Sequence, residues 1–561
     1  MRKILLLFLV TSSMYSQSEY PQDYFRNPLD ITLVLSGTFA ELRSAHFHSG
    51  LDIKTQQRTG LKVYAAAEGY VSRIKISHYG YGKALYVTHP NGYTTVYAHL
   101  QKFSDRLEKY IKECQYDKET FEVEVFPSAD ELLITPNEVI AYSGNTGGSG
   151  GPHLHFEIRD NQERPINPML FGIDIKDSRQ PFVSAVYAYP KDENATINGK
   201  NERVPLRLIP QKTGDYKVEE ITAYGNIGFG VTSYDKQDLA PNNNGVSNIQ
   251  TFFNGNKSLE IDFKRFSFDE TKHIKRLIDY EYFKTKRSRI QKLFIEENNP
   301  LSLYKDAYDN GYIMVEDSTS SVFKTRIRDF KGNETWVNIP IQGKKEALEI
   351  PEADYSNKTT IYANQATELK TGLVTVNFYS NTVYEDVDID YSVSSDTLHL
   401  HEDNIPLQKN FYINYDLSHY KPKDLDKMFI ARLYGYYKKP SYVSTKRKGN
   451  TLSAGSKVLG TYTLAMDTVA PTITPINFKD KKWLSKYRYL KVKIDDDLSG
   501  ISKYRATVNG QWILMEYDYK TKMLVHDFND NIVKDTKNDL KIIVTDNVGN
   551  SSTFEATFFR K

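Results

Sequence analysis

Two short strings about a hundred residues apart, His48-Ser-Gly-Leu-Asp52 and Gly151-Pro-His153-Leu-His155-Phe-Glu157, constrain this chain more than any other feature. Residues 46–155 hold seven of its 12 His, although they make up only about a fifth of the length. Side chains alternate along a strand, so His153 and His155 point to one face. Asp52 lies four positions after His48, which predicts that both share a strand face, and Gly50 between them weakens the helical alternative. Two imidazoles and a carboxylate are ligands of the kind Zn²⁺ prefers, and three protein ligands leave a fourth position open for water. The competing reading of the same residues is a set of buried core His.

The Gly144-Asn-Thr-Gly-Gly-Ser-Gly-Gly151 loop ahead of the His pair lets backbone come close to such a site. It is not a phosphate-binding loop, because no Lys-Ser or Lys-Thr follows at the required place. His399-Leu-His401 (with Asp403) and His526-Asp-Phe-Asn-Asp530 repeat the same spacings. They lie far from the cluster and lack Gly neighbours, so they are expected to be surface His.

At 561 residues the chain is too long for one core, and three or four domains are expected. Its 41 Tyr, punctuated by Gly and Asn with few long helical patterns, predict a mainly β protein. Residues 1–17 read as a cleaved signal peptide: basic Arg2-Lys3, a short apolar run Ile4 to Val10, then small and polar residues. That predicts export to the periplasm or the cell surface. No Cys follows the apolar run to take a lipid anchor, and no later stretch is long enough for a membrane span. A formal net charge of +2 implies no general attraction to nucleic acid. Cys114 is the only cysteine, and the apolar spacing Phe103, Leu107, Tyr110, Ile111, Cys114 predicts a buried structural thiol on a helix near Ser104 to Lys118.

Short apolar runs alternating with Gly-rich turns from about Asp30 to Pro168 predict a compact antiparallel β-sheet domain, with boundaries at 18–175. An internal repeat follows. Asp177-Ser-Arg-Gln-Pro181 and Asp467-Thr-Val-Ala-Pro471 each open a unit, and Asp329-Phe-Lys-Gly-Asn333 matches Asp546-Asn-Val-Gly-Asn550 near each unit's end. These signals predict β-sandwich modules of immunoglobulin type over 176–345 and 467–561, acting as stalk or spacer. The first carries an extra charged stretch, roughly Ser258 to Lys305, with helical character around Lys272 to Lys292. Residues 346–466 form a further β-rich unit of unknown type.

His48-x-x-x-Asp52, Tyr97-Ala-His99-Leu100 and Ser149-Gly-Gly-Pro-His153-Leu-His155-Phe-Glu157 together resemble the signature of the lysostaphin/LytM-type zinc metallopeptidases. Val63 to Val71 and Arg164-Pro-Ile-Asn-Pro168 resemble that family's flanking segments, so the likeness spans roughly residues 30–170. It implies Zn²⁺ bound by His48, Asp52 and His155, with His99 and His153 as the catalytic pair beside the metal's water. Which of the two is the base stays open. No Glu stands as in His-Glu-x-x-His enzymes, so proton transfer falls to His. His46 has no matched role and is expected to pack or to support a ligand. Lys102 to Asn137 looks longer and more charged than the family carries, and its helix and strand are expected to wall the substrate groove. The resemblance implies a zinc-dependent endopeptidase acting on peptide bonds of bacterial peptidoglycan cross-links or stems, with the C-terminal modules meeting an envelope partner. A secreted protease or bacteriolysin, a non-catalytic regulator of an amidase, and a glycan-binding adhesin are the rival readings.

Overall fold

Alternating apolar residues set the architecture. In Glu334–Gly343 every second side chain is buried, and Ser320–Arg328 beside it behaves the same way. The computed structural model describes residues 19–346 and 358–561. The leader expected over 1–17 lies outside them, as do residues 347–357 at the start of the unit expected over 346–466.

The His-rich region forms an antiparallel sheet in the order Leu35–Gly37, Leu51–Lys54, His153–Arg159, Thr94–Ala98, Lys83–Thr88, Gly69–Ile76 and Val123–Val125. The strand carrying the His pair is therefore central. Its register puts His155 across from Asp52 on one side and from Ala98, the residue before His99, on the other. Gly50 is required where the chain enters this sheet, since a Cβ there would lie 2.3 Å from the Phe156 carbonyl oxygen.

The buried core runs without a break from Leu35 in this sheet to Ile341. Phe39 and Phe47 pack on Phe266, with ring centroids 5.2 and 5.4 Å apart. Residues 176–345 were expected to be a sandwich of two sheets. Instead Ile221–Tyr234, a 14-residue strand, pairs into both halves and joins them into one sheet that, among the described residues, has 13 strands. The halves still close over a core in which Phe229 stacks on Phe323 at 4.3 Å. The expected helical character is present as Thr271–His273, Ile274–Leu277 and Tyr280–Lys286. Beyond residue 357, two sheets enclose Phe378, Phe411, Tyr415 and Tyr462. The last unit sandwiches Leu490, Ile494, Ile542 and Val544 between two further sheets.

The last unit is not a free stalk; it folds back on the first sheet. The helix Asp105–Asp117 of the expected groove wall is where it lands. Lys112 pairs with Asp530, the Tyr116 hydroxyl donates to Asp530 Oδ2 at 2.8 Å, and Tyr116 meets Trp512 edge-on at 5.2 Å. The helix therefore docks a module and lines no part of the cleft described below. Asp105 and Glu108 in its first turn favour its N-terminus electrostatically. Leu107, Ile111 and Gln115 fill its inner face, and Cys114 is only half-buried, contrary to the expected buried thiol. Gln115 takes the inward place because its amide donates to the Phe121 carbonyl at 2.6 Å.

Lys83, 4% exposed, holds Glu516 of the last unit at 2.9 and 3.0 Å. Glu516→Gln removes the charge opposite this buried cation. It should lower stability in urea denaturation by about 1–2 kcal/mol, because the half-exposed Glu516 moderates the penalty of a broken buried pair. An unchanged midpoint would show that the contact holds the units together without this ion pair.

Candidate functional site

The register just described carries Asp52 and His155 to one point, and His48 joins them from outside the strand. The expectation that His48 shares a strand face with Asp52 fails. His48 sits in the connection before Leu51, placed by the Leu42–Phe47 bridge and by backbone bonds to Ala40 and Glu41. Even so, His48 Nε2 lies 2.9 Å from Asp52 Oδ1 and 3.1 Å from His155 Nδ1, and His155 Nδ1 lies 2.9 Å from the same oxygen.

The far nitrogens of both rings fix their tautomers. His48 Nδ1 donates to the Thr38 carbonyl at 2.7 Å, and His155 Nε2 donates to Glu157 Oε1 at 2.7 Å. In the neutral rings His48 Nε2 and His155 Nδ1 are then lone pairs, aimed with Asp52 Oδ1 at one shared point. Three acceptors so close need a cation or a proton among them. Ligand atoms around a tetrahedral zinc stand about 3.3 Å apart, given bonds of about 2.0–2.1 Å. The donor set fits that ion in type and in spacing, and the carbonyl and carboxylate behind the rings orient them as partners of metal-bound His do.

Electrostatics agree. Burial alone would raise Asp52, but the His48 charge and hydrogen bonds from His153 and His155 outweigh it and hold this carboxyl well below the usual range. Burial likewise opposes a charge on His155, yet Asp52 and Glu157 pull the imidazole up to about 9, which marks the pocket as one that attracts a cation. Glu157, 0% exposed, is held down against its own burial by Arg159 and His155. Glu157 is a residue of this site to which the motif alone gives no role. Its place two residues after His155 on the same strand was the available signal.

His99 and His153 face this point across a ring-centroid distance of 4.7 Å. His99 ends its strand with φ at 58°, an uncommon conformation for a non-Gly residue and a strained one. Its Nδ1 donates to the Thr146 carbonyl at 2.8 Å, and burial with the nearby His155 and His153 pushes it down to about 3. His153 Nδ1 lies 2.9 Å from the Gly151 carbonyl, while its Nε2 is 3.3 Å from Asp52 Oδ1. The glycine-rich loop thus holds both rings from behind. It is itself pinned where Gly82 and Gly147, at φ 64° and 67°, cross backbone to backbone; a Cβ on Gly147 would lie 2.3 Å from Gly82 N.

All five residues open onto a cleft of about 1140 Å³. Arg43, Lys54, Tyr81 and the glycine-rich loop line it, and Phe268 and Thr271 close it from the 258–305 stretch, which takes the walling role expected of 102–137. Thr271 Oγ1 accepts from Phe47 N at 2.7 Å, and Phe268 lies under the Arg159 guanidinium at 4.6 Å. His46 is exposed on the cleft wall and does not support a ligand. The structure does not bring His399, His401 or His526 to this point. His399 and His401 are half-buried, and His526, expected at the surface, is 0% exposed and bonds the Leu514 carbonyl at 2.9 Å inside the last unit.

Glu157→Gln keeps an acceptor for His155 and removes the charge behind it. Zinc affinity should fall about 10–100-fold in competition with a chelating dye. Far-UV circular dichroism would show whether leaving Arg159 with Glu163 alone has cost the fold instead.

Parts of the chain match known proteins. Residues 46–116 match the model of peptidase family M23, and residues 358–467 match a Zu5-like domain, in the unit whose type the sequence left open. The DD-carboxypeptidase/endopeptidase Mpg of Neisseria meningitidis is 28% identical over 190 residues, covering 34% of this chain and 35% of that protein. The peptidoglycan DD-endopeptidase ShyA of Vibrio cholerae is 28% identical over 166 residues, covering 30% of each. The chain thus spans about a third of the length of these curated relatives. Among solved structures, the catalytic domain of lysostaphin from Staphylococcus simulans is similar at 23% identity and a TM-score of 0.18, over 24% of this chain and 90% of that one. A match to the family's model over residues 46–116, which include His48, Asp52 and His99, shows that the chain carries a peptidase family M23 domain.

Proposed function

We propose that this protein is an exported zinc metalloendopeptidase that hydrolyses peptide bonds in the cross-links or stems of bacterial peptidoglycan. The observation that carries the proposal is the convergence of His48, Asp52 and His155 on one point, with His99 and His153 beside it on the same cleft. The names of the relatives support the substrate class. Among the described residues no helix is long and apolar enough to cross a membrane.

His48 Nε2, Asp52 Oδ1 and His155 Nδ1 would hold the zinc. When bound, zinc is a Lewis acid that lowers the pKa of its water to about 7 and polarises a scissile carbonyl. The chain's own residues supply the rest. Nδ1 of His99 and of His153 is committed to a carbonyl, which leaves each Nε2 for the reacting groups, that of His153 3.3 Å from Asp52 Oδ1. The two rings orient an attacking water beside the three ligands. Burial and the neighbouring imidazoles favour the neutral form of His99, and one of the two rings takes the proton and returns it to the leaving amine. All five side chains are in place, which supports an enzyme over a non-catalytic regulator.

Digestion of purified sacculi, with muropeptides resolved by mass spectrometry, tests the activity. Cross-linked dimers should disappear, and chelator or His155→Ala should prevent it. His155→Ala should also lose zinc, whereas His99→Ala should keep zinc and lose about 10²–10⁴-fold in rate. Intact sacculi with a zinc-loaded protein would turn the reading to a secreted protease of another target, and zinc loss in His99→Ala would overturn the division of roles.

The last unit reaches this machinery. Lys520 Nζ donates to the Asn145 carbonyl, and to the Ser149 carbonyl at 3.2 Å, on either side of the Thr146 that orients His99. Lys520→Ala should lower kcat about 10-fold or more through a misplaced loop, with zinc content unchanged and Lys520→Arg restoring the rate.

A further inference from the structure

The Asp-led repeats found in the sequence have no part in the peptidase chemistry, yet the structure gathers them twice. Asp177, Asp235 and Asp329 each bring an oxygen within 4.8 Å of the other two, and Asp467, Asp496 and Asp546 do the same in the last unit. Asp177 and Asp467 open their units. Asp329 and Asp546 open the Asp-x-x-Gly-Asn turns. Asp235 and Asp496 each directly follow the end of a strand, Ile221–Tyr234 and Tyr489–Asp495.

The surrounding bonds match as well. Asn333 Nδ2 and Asn550 Nδ2 each donate at 2.7 Å to Oδ2 of the turn's Asp and also reach the backbone carbonyl of Asp177 or Asp467, at 3.4 and 2.9 Å. Among the described residues the six carboxylates receive amide donors and no ion pair. Nearby cations go elsewhere, Lys331 to Asp174 and Lys522 to Asp495.

A ring of acids alone is no site, but each ring also leaves an acceptor unused. Asp235 is only 3% exposed, and its Oδ1 is buried without a hydrogen-bond partner; Asp496 Oδ1 is also buried and unpartnered, in a side chain that is half-buried. A buried polar atom without a partner is costly, and three like charges sharing a buried site are more so. Burial, then Asp177 and Asp329, push Asp235 up to about 8, and burial pushes Asp329 up to about 6.

We propose that each cluster is a Ca²⁺ site, one at the opening of each repeat unit. The donors are all oxygen, with no His or Cys to favour zinc. Oxygens on opposite sides of one Ca²⁺ stand about 4.6–5.2 Å apart, twice a bond of about 2.3–2.6 Å. Its flexible coordination suits three carboxylates better than the strict octahedron of Mg²⁺. Each ion ties the first residue of its unit to the turn before its last strand. It thereby fixes the segment through which the chain enters the unit, and the second junction is already close: Asp467 N bonds the Lys427 carbonyl at 3.0 Å, and Lys427 Nζ reaches the Val548 carbonyl at 3.3 Å.

The test uses the full zinc-loaded chain, freed of Ca²⁺ on a chelating resin. Calorimetric titration with Ca²⁺ should find two equivalents, with affinity in a range up to about 10⁻³ M. Asp235→Asn and Asp496→Asn should each lose one equivalent. Ca²⁺ should raise the thermal midpoint of the wild type more than that of either variant. Without Ca²⁺ both variants should be at least as stable as the wild type, because an amide of the same shape carries no charge into the ring of acids. Absence of Ca²⁺ binding in the wild type, or two equivalents retained by both variants, would overturn the proposal. So would variants destabilised equally with and without Ca²⁺, which would make these aspartates ordinary packing residues.

Discussion

The antiparallel pairing of Leu51–Lys54 with His153–Arg159 is the constraint on which the site depends. Side chains directly opposite in such a ladder stand within reach of each other, so Asp52 and His155 meet without help from any loop. A slip by one residue would turn His153, His155 and Glu157 to the other face together. Fully buried Leu154, Phe156 and Ile158 alternate with them and prevent it, because the slip would exchange these apolar side chains for the polar set. Core packing and ligand geometry are thus one requirement on one strand.

What the ladder does not supply is aim. Imidazoles rotate, and each here is stopped by an acceptor at its far nitrogen: Thr38 behind His48, Glu157 behind His155, Thr146 behind His99 and Gly151 behind His153. Three of the four are backbone carbonyls, which cannot be altered by substitution at their own positions. The fourth is a buried carboxylate tied to Arg159 at 2.6 Å, and Ser49 donates to it at 2.6 Å. His48, His99 and His153 are therefore aimed from loops, which the 258–305 stretch braces on the His48 side and the last unit on the other.

The legible part of this design was the part that repeats with period two. His153 and His155 were assigned to one face because strands alternate, and the same rule reaches Glu157 if carried one step further. His48 was misplaced onto a strand because its position comes from the turn closed by Leu42 and Phe47, which leaves no periodic trace. The expectation that residues 102–137 wall the cleft rests on the length and charge of that stretch, which say nothing of where it folds. Phe268 and Thr271 take that place because Phe266 packs on Phe39 and Phe47, contacts that span more than two hundred residues and have no local signature. His526 read as a surface residue, since a lone His on an alternating strand carries no mark of whether its face is the inner one.

Buried carboxylates are used in two opposite electrostatic settings in this chain. Asp52 is surrounded by imidazoles and by Arg43, 3.1 Å from its Oδ2, so its charge is favoured even when buried. Asp235 has only amides and other carboxylates around it, and its charge is disfavoured. The first arrangement is stable as a preformed site because two of its three donors are imidazoles and its countercharge is built in. The second has no countercharge of its own, and any cation that binds must repay three desolvated acids at once. Oxygen-only clusters of that kind suit a hard ion, whereas the mixed His and Asp set suits a borderline one. The division of residue types between the cleft and the two repeat units follows from that difference in the charge each cluster has to overcome.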